Sequence, residues 1–391
     1  MSQPLSHPVT AYALTNALGA TTAEVVASLS RGEGGLAPCR WPLPFETFAG
    51  EVRGELCALT GDEAAYDCRL GRIAGRLLEE MGPAIARACA RWGRERVGVV
   101  LGTSTGGILE TERAFDAYQR EGRLPARFDF ERQHAFHALV ELVQRRTGAA
   151  GPAYAVSTAC SSSAKVLGAA RRLLAAGLAD AVLVGGVDSL CQTTLRGFRS
   201  LEVLSSKLCR PFSKERDGLN IGEGGALLLI EREADAAVHL LGVGETADAH
   251  HMSHPHPEGI GMKASMLEAL AQAQVSPSEV DYVNAHGTGT QLNDLTEGKA
   301  IAAIFGSEVP VVSTKAYTGH MLGAGGATEA IFSIVAIEQG WVPAALRADP
   351  PDPEIPIHLP QARLERPVRK VLSNSFAFGG SNVSVLFGAV R

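Results

Sequence analysis

Three residues in this chain combine a reactive side chain with a turn able to present it. Cys160 lies in STACSSSAK (residues 157–165), which passes from an apolar strand through small residues into a helical pattern at 166–176 that stops at Gly177. A thiol at a helix start meets unpaired N–H groups and the positive end of the helix dipole. Both favour the thiolate, the form that attacks a carbonyl carbon, and the same N–H groups can hold an oxyanion. From position alone, a packed thiol and a nucleophile stand equal. His286, in NAHGTGT (284–290), follows an expected strand, Tyr282–Asn284, and has glycines and the hydroxyls of Thr288 and Thr290 beside it; isolated threonines in turns more often bond locally.

His320 ends STKAYTGH (313–320) and is expected to open a helix at 321–338. A helix dipole at that point would keep the imidazole neutral, able to donate a hydrogen bond to a forming enolate oxygen. Lys315 and Glu329 offer a charge pair to orient the site, of small consequence if they lie at the surface. A lone histidine is more often structural than catalytic, but a thiol and two imidazoles in three such turns fit thioester chemistry. Cys191 and Cys209 are assigned to packing, because neither is expected to open a helix after a strand.

The elements that must position these turns alternate short β-branched runs with Ala- and Leu-rich stretches, the pattern of an α/β protein. Strands are expected at 7–13, 97–102, 154–157, 181–185 and 226–230, then, after a charged stretch at 231–237, at 238–243, 282–284, 310–313, 371–373 and 383–387. The strand at 154–157 is read as buried. The two halves, 1–235 with the cysteine and 236–391 with both histidines, share an order of elements. The proline-punctuated segment 349–360 reads as an extended surface crossing.

The 391 residues exceed one average domain and suffice for a large core. A net charge of −6 argues against a nucleic-acid binder, while small basic clusters, Arg171 with Arg172 or Lys207 with Arg210, leave room for an acidic partner. Residues 1–22 show no secretory leader and no segment is apolar enough to span a bilayer. Seven scattered cysteines without a CxxC pair suit reduced thiols in the cytoplasm. His250, His251, His254 and His256 crowd together, but Pro255 and Pro257 hold that stretch extended and no familiar ligand spacing accompanies it, so no metal is expected.

Seven ordered motifs, STACSSSA, GGVDS (185–189), RPFSKERDGLNIGEGGALLLIE (210–231), DAHHMSHP (248–255), NAHGTGT, STKAYTGHMLGAGGATE (313–329) and NSFAFGGSN (374–382), together resemble the β-ketoacyl-acyl carrier protein synthases of the thiolase-like superfamily. The resemblance runs from about residue 97 to the C-terminus. It implies a five-layered αβαβα fold of two similar halves, a dimer of identical or related subunits, and decarboxylative condensation of acyl and malonyl thioesters carried on the phosphopantetheine of an acyl carrier protein, with no other cofactor. Cys160 matches the nucleophile, and His286 and His320 match the pair that promotes decarboxylation and stabilises the enolate. Lys315 and Glu329 match the charged pair that organises them, and Thr288 and Thr290 match residues along the pantetheine arm. Phe376 and Phe378 resemble gating aromatics, the N–H of Phe378 joining that of Cys160 as an oxyanion hole.

The chain departs from that pattern in three places. The strand at 7–13 lacks a Gly-rich start, and the N-terminal third is compact. Ala377 stands where glycine is common between the two phenylalanines, so the loop should be stiffer. STACSSSAK and DAHHMS look closer to synthases of bacterial aryl-polyene pigment clusters. Three neighbouring classes remain. A thiolase would carry a second reactive cysteine near the C-terminal glycine-rich turn, and none follows Cys209; a starter-type synthase carries asparagine for one histidine; a non-catalytic partner subunit typically lacks the cysteine. A cysteine hydrolase, from another class, needs water at the acyl-enzyme.

Overall fold

The computed structural model describes residues 5–390; the first four residues of the N-terminal stretch read above, and Arg391, lie outside them. Ten strands form the framework: β1 (His7–Thr15), β2 (Val97–Gly102), β3 (Ala153–Val156), β4 (Ala181–Asp188), β5 (Gly224–Glu231), β6 (Val238–Ala247), β7 (Tyr282–Asn284), β8 (Val311–Val312), β9 (Lys370–Phe376) and β10 (Ser381–Ala389). Their spatial order is β8-β7-β9-β10-β6-β1-β5-β4-β2-β3.

The first five strands and the last five repeat one arrangement. β2 runs parallel to β3 and β4, while β5 is antiparallel to β4 and to β1. In the second half β7 runs parallel to β8 and β9, while β10 is antiparallel to β9 and β6. The halves join where His7 and Pro8 of β1 pair with Leu240 and His239 of β6.

Helices α1 (Arg69–Trp92) and α2 (Phe136–Thr147) cover the outer face of the first sheet, and α3 (Ser162–Ala175) lies on its inner face. In the second half α4 (Ile260–Ala273) and α5 (Gln291–Phe305) lie outside, and α6 (Gly325–Gln339) lies inside. The inner helices α3 and α6 touch each other and strands of both halves, which makes the expected five layers. Each has a sequence suited to the middle layer. α6 is buried on nearly every side, as a helix apolar all round must be, and a Cβ at Gly326 would stand 2.7 Å from the Ala164 nitrogen, so a larger residue would force the two helices apart. β4, buried along its whole length, reads as a continuous apolar run because helices cover both its faces.

Several expectations are corrected. β3 is not a buried strand but the open edge of the sheet, with Tyr154 exposed, since among the described residues nothing pairs on its far side. The segment 349–360 is more than a surface crossing: Ile355 and Leu359 are buried, the Asp352 N–H donates to Phe212 O, and the Asp352 carboxylate receives the Arg216 guanidinium. Among the described residues no helix is long and apolar enough to cross a membrane.

Candidate active site

The turn between β3 and α3 carries Cys160. Ala159 adopts φ 51°, a left-handed conformation that costs a non-glycine residue of order 1–3 kcal/mol and re-aims the chain sharply before the helix. The helix starts at Ser162, four residues before the expected 166, so Cys160 lies just ahead of its first turn. The local serine hydroxyls explain the difference. Ser161 and Ser162 bond back to the Thr158 and Ala159 carbonyls, a hydroxyl-rich start that apolar periodicity does not reveal.

Cys160 is buried, and its Sγ lies 2.9 Å from Nε2 of His320. The resting thiol is not the thiolate expected from the helix dipole. Burial pushes it up to about 12, outweighing the positive charge of Lys315 and the N–H groups of Phe378 and of Cys160 itself, which act the other way.

His320 does not open a helix. A single turn, 322–324, follows it, and α6 begins only at Gly325. The dipole argument therefore gives way to another cause: burial, then the charge of Lys315, holds His320 well below the ordinary histidine range. His286 is held low by burial, Lys315 and His320 in turn. The two rings meet edge to face with centroids 5.4 Å apart. The Nδ1 of each is buried without a hydrogen-bond partner among the described residues. Lys315 and Glu329 are not surface residues; they form a buried ion pair of 2.5 Å, in which burial raises the Glu329 carboxyl against the pull of Lys315.

Two carboxylates missed by the sequence reading fix the His286 loop. Glu297 receives the N–H groups of His286 and Gly287, each at 2.7 Å, and burial raises it to about 7. Asp294 receives those of Gly289 and Phe212. Both lie in the first two turns of α5, three residues apart, directly after NAHGTGT; two acids spaced to share one helix face were the available signal.

A cavity of about 290 Å³ connects Cys160, His286 and His320 to the surface. Thr288 and Thr290, their hydroxyls 2.9 Å apart, line it together with Phe376 and Phe378. Phe198, also missed, stacks on Phe378 with centroids 5.8 Å apart and meets His320 edge-on. The loop around Ala377 is clasped to the histidine-rich segment: Gly379 N–H bonds Met252 O, Asp248 N–H bonds Gly380 O, and Asn382 bonds the Asp248 carboxylate. His251 stacks on His254, which borders the cavity, and His250 packs near His256.

Cys191 corrects another expectation, for it precedes the helix Gln192–Ser200 just after β4. It is nevertheless buried, raised to about 11 by burial, and bonded to Thr194, while Glu112 takes up the helix N–H groups of Gln192 and Thr193. Cys209 is buried under Arg347 and raised likewise. Of the basic clusters, Arg171 is committed to the Leu5 and Leu241 carbonyls, Arg172 to Glu245, and Arg210 to Glu215, which leaves Lys207 exposed without such a partner among the described contacts.

Comparison with known proteins bears on the family and the fold. Family models described as the N-terminal and C-terminal domains of β-ketoacyl synthase match residues 8–236 and 237–349. The mitochondrial 3-oxoacyl-[acyl-carrier-protein] synthase of Arabidopsis thaliana is 36% identical over 323 residues, 76% of this chain and 69% of that protein. Two solved structures superpose over the full length of both chains: a ketosynthase (ApeO) in complex with its chain length factor (ApeC) from Xenorhabdus doucetiae, at 36% identity and a TM-score of 0.92, and AntDE:AntF, a type II polyketide acyl-carrier protein in complex with its ketosynthase bound to the hexaketide, at 26% identity and 0.88.

Proposed function

The chain belongs to the β-ketoacyl synthase family, and on that footing we propose how its residues divide the work between the two halves, 1–235 and 236–391. It is an acyltransferase that catalyses decarboxylative Claisen condensation of an acyl thioester with a malonyl thioester on acyl carrier protein. Cys160 takes the acyl group. The new thioester forms as the carrier's thioester breaks, and the proton lost by Cys160 leaves on the pantetheine thiol, so charge balances without a strong base. The N–H groups of Cys160 and Phe378 hold the tetrahedral oxyanion.

Malonyl then loses carbon dioxide, and the electron pair of the broken bond moves to the thioester oxygen. Neutral imidazoles of His286 and His320 donate to that enolate oxygen, a role that their depressed basicity suits. The enolate carbon attacks the acyl-enzyme, and the released Cys160 thiolate takes up one proton, which its high basicity favours. Lys315, neutralised by Glu329, orients the imidazoles, while Thr288 and Thr290 receive the pantetheine arm and Phe376 and Phe378 gate the acyl pocket.

The observation that carries this reading is the 2.9 Å approach of Sγ to Nε2 with the second imidazole beside it in one cavity. The test is to incubate the protein with an acyl-carrier thioester, locate the adduct by mass spectrometry, then add malonyl carrier. An adduct on Cys160 and a ketoacyl product are expected; condensation by Cys160→Ala would overturn the assignment.

The carrier protein docks at the cavity mouth, and the substrates bring the only prosthetic group required. The motifs STACSSSAK and DAHHMS favour the aryl-polyene branch, and the likeness to the Xenorhabdus doucetiae complex supports a pairing in which this chain is the catalytic member beside a related subunit or a second copy. With all seven cysteines unpaired, we place the reaction in the cytoplasm.

A further inference from the structure

GGVDS has no place in the chemistry above, yet its Asp188, at the end of β4, is a fully buried carboxylate that gathers donors from both halves of the molecule. From the first half come the Thr103 hydroxyl at 2.8 Å, the Thr105 hydroxyl at 3.0 Å, and the N–H groups of Ser104 and Thr105, each at 3.0 Å. From the second half comes the Ala324 N–H at 3.1 Å. Ala324 closes the single turn that follows His320, and within that turn Leu322 is held at φ 50°. A bulky residue in that region is strained and persists only where its surroundings fix it. Upstream, the His320 N–H bonds Asn220 O at 2.7 Å and its carbonyl receives the Gly222 N–H at 3.0 Å. The backbone of His320 is thus pinned on one side by 220–222, and the strained turn beyond it is tied down by Asp188.

We propose that Asp188 is a positioning residue, whose carboxylate anchors the 320–324 turn to the loop 103–105 and so sets the reach of His320 Nε2 to Cys160 Sγ. This rests on the roles assigned above to Cys160 and His320. Gly323 supports it: a Cβ there would stand 2.7 Å from the Ser104 nitrogen and 2.8 Å from Asp188 Oδ2, so only a glycine turn can sit on this anchor.

The test compares Asp188→Asn and Gly323→Ala with the wild type. Asn keeps the shape but turns an NH₂ toward a ring of donors; Gly323→Ala keeps the carboxylate and displaces the turn, and carries the test should Asp188→Asn not fold. Each is expected to lower kcat of condensation about a hundredfold, the effect of a misplacement near 1 Å, with KM for the carrier substrate within about threefold. Iodoacetamide labelling resolved by peptide mass should change at Cys160 while Cys68 and Cys209 stay protected. Retention of kcat within about twofold in both variants, or opening of Cys68 and Cys209 together with Cys160 as in general loosening, would overturn the proposal. A wild-type protein that forms no ketoacyl product would instead overturn the function, and the labelling pattern would still decide whether Asp188 anchors the turn.

Discussion

Burial sets the resting chemistry of the catalytic residues. With its thiol raised to about 12, Cys160 is almost wholly protonated at neutral pH, and under the proposed mechanism its reactivity is released when a substrate carbonyl enters the oxyanion hole. Alkylation of Cys160 by iodoacetamide should therefore rise about tenfold per pH unit without a plateau up to pH 10; a plateau near pH 7 would show a stabilised thiolate. The imidazoles shift in the opposite direction. Because burial and Lys315 hold both well below 6.5, acidification through that value leaves them neutral, and kcat at saturating substrate should stay flat between pH 8 and 6; a fall with a midpoint near 6.5 would show an ordinary, solvated histidine in the rate-limiting step. Glu329→Gln strands the buried Lys315 ammonium, at a cost of about 3–5 kcal/mol in denaturant unfolding, whereas Lys315→Met with Glu329→Leu should recover most of that stability without activity.

At the scale of elements, the loop between β9 and β10 places Ala377 and Phe378 in the cavity lining. Ala377 donates its N–H to Ser381 O at 2.9 Å and receives the Gly380 N–H at 3.1 Å, while Gly379 and Gly380 take the positive φ values that the turn demands. Alanine fits at 377 because that position needs no left-handed conformation. Ala377→Gly should lower stability by about 0.4–1 kcal/mol through the unfolded chain and speed limited proteolysis at 377–381; equal cleavage rates would show that the clasp to Asp248 and Met252 alone holds the loop. The sequence made the motifs in these turns legible because their glycines, hydroxyls and reactive side chains are consecutive. It left the starts of the flanking helices obscure, since Ser161 and Ser162 open one helix through hydroxyl bonds and a separate turn intervenes after His320.

At the scale of the whole molecule, β3 presents an open sheet edge on which Tyr154 is exposed, and α2, which packs on β3, carries the exposed ring of Phe136. A free edge with apolar neighbours favours pairing with another chain. Under the dimer proposed above, Tyr154→Lys should shift sedimentation from dimer toward monomer; an unchanged species would move the interface elsewhere. By itself the sequence determined the α/β alternation, the repeated halves and the three reactive turns, because periodicity and turn chemistry are local properties of consecutive residues. Only the tertiary structure decided that β3 is an edge and not a core strand, that Lys315 and Glu329 are buried, that Glu297 and Asp188 grip the two imidazole loops, and that Cys160 rests as a thiol. The Asp188 grip joins residues 136 positions apart, the Glu297 grip requires a turn and the next helix to close on each other, and the states of Lys315, Glu329 and Cys160 depend on the loss of water around them, a burial that outweighs the local helix dipole.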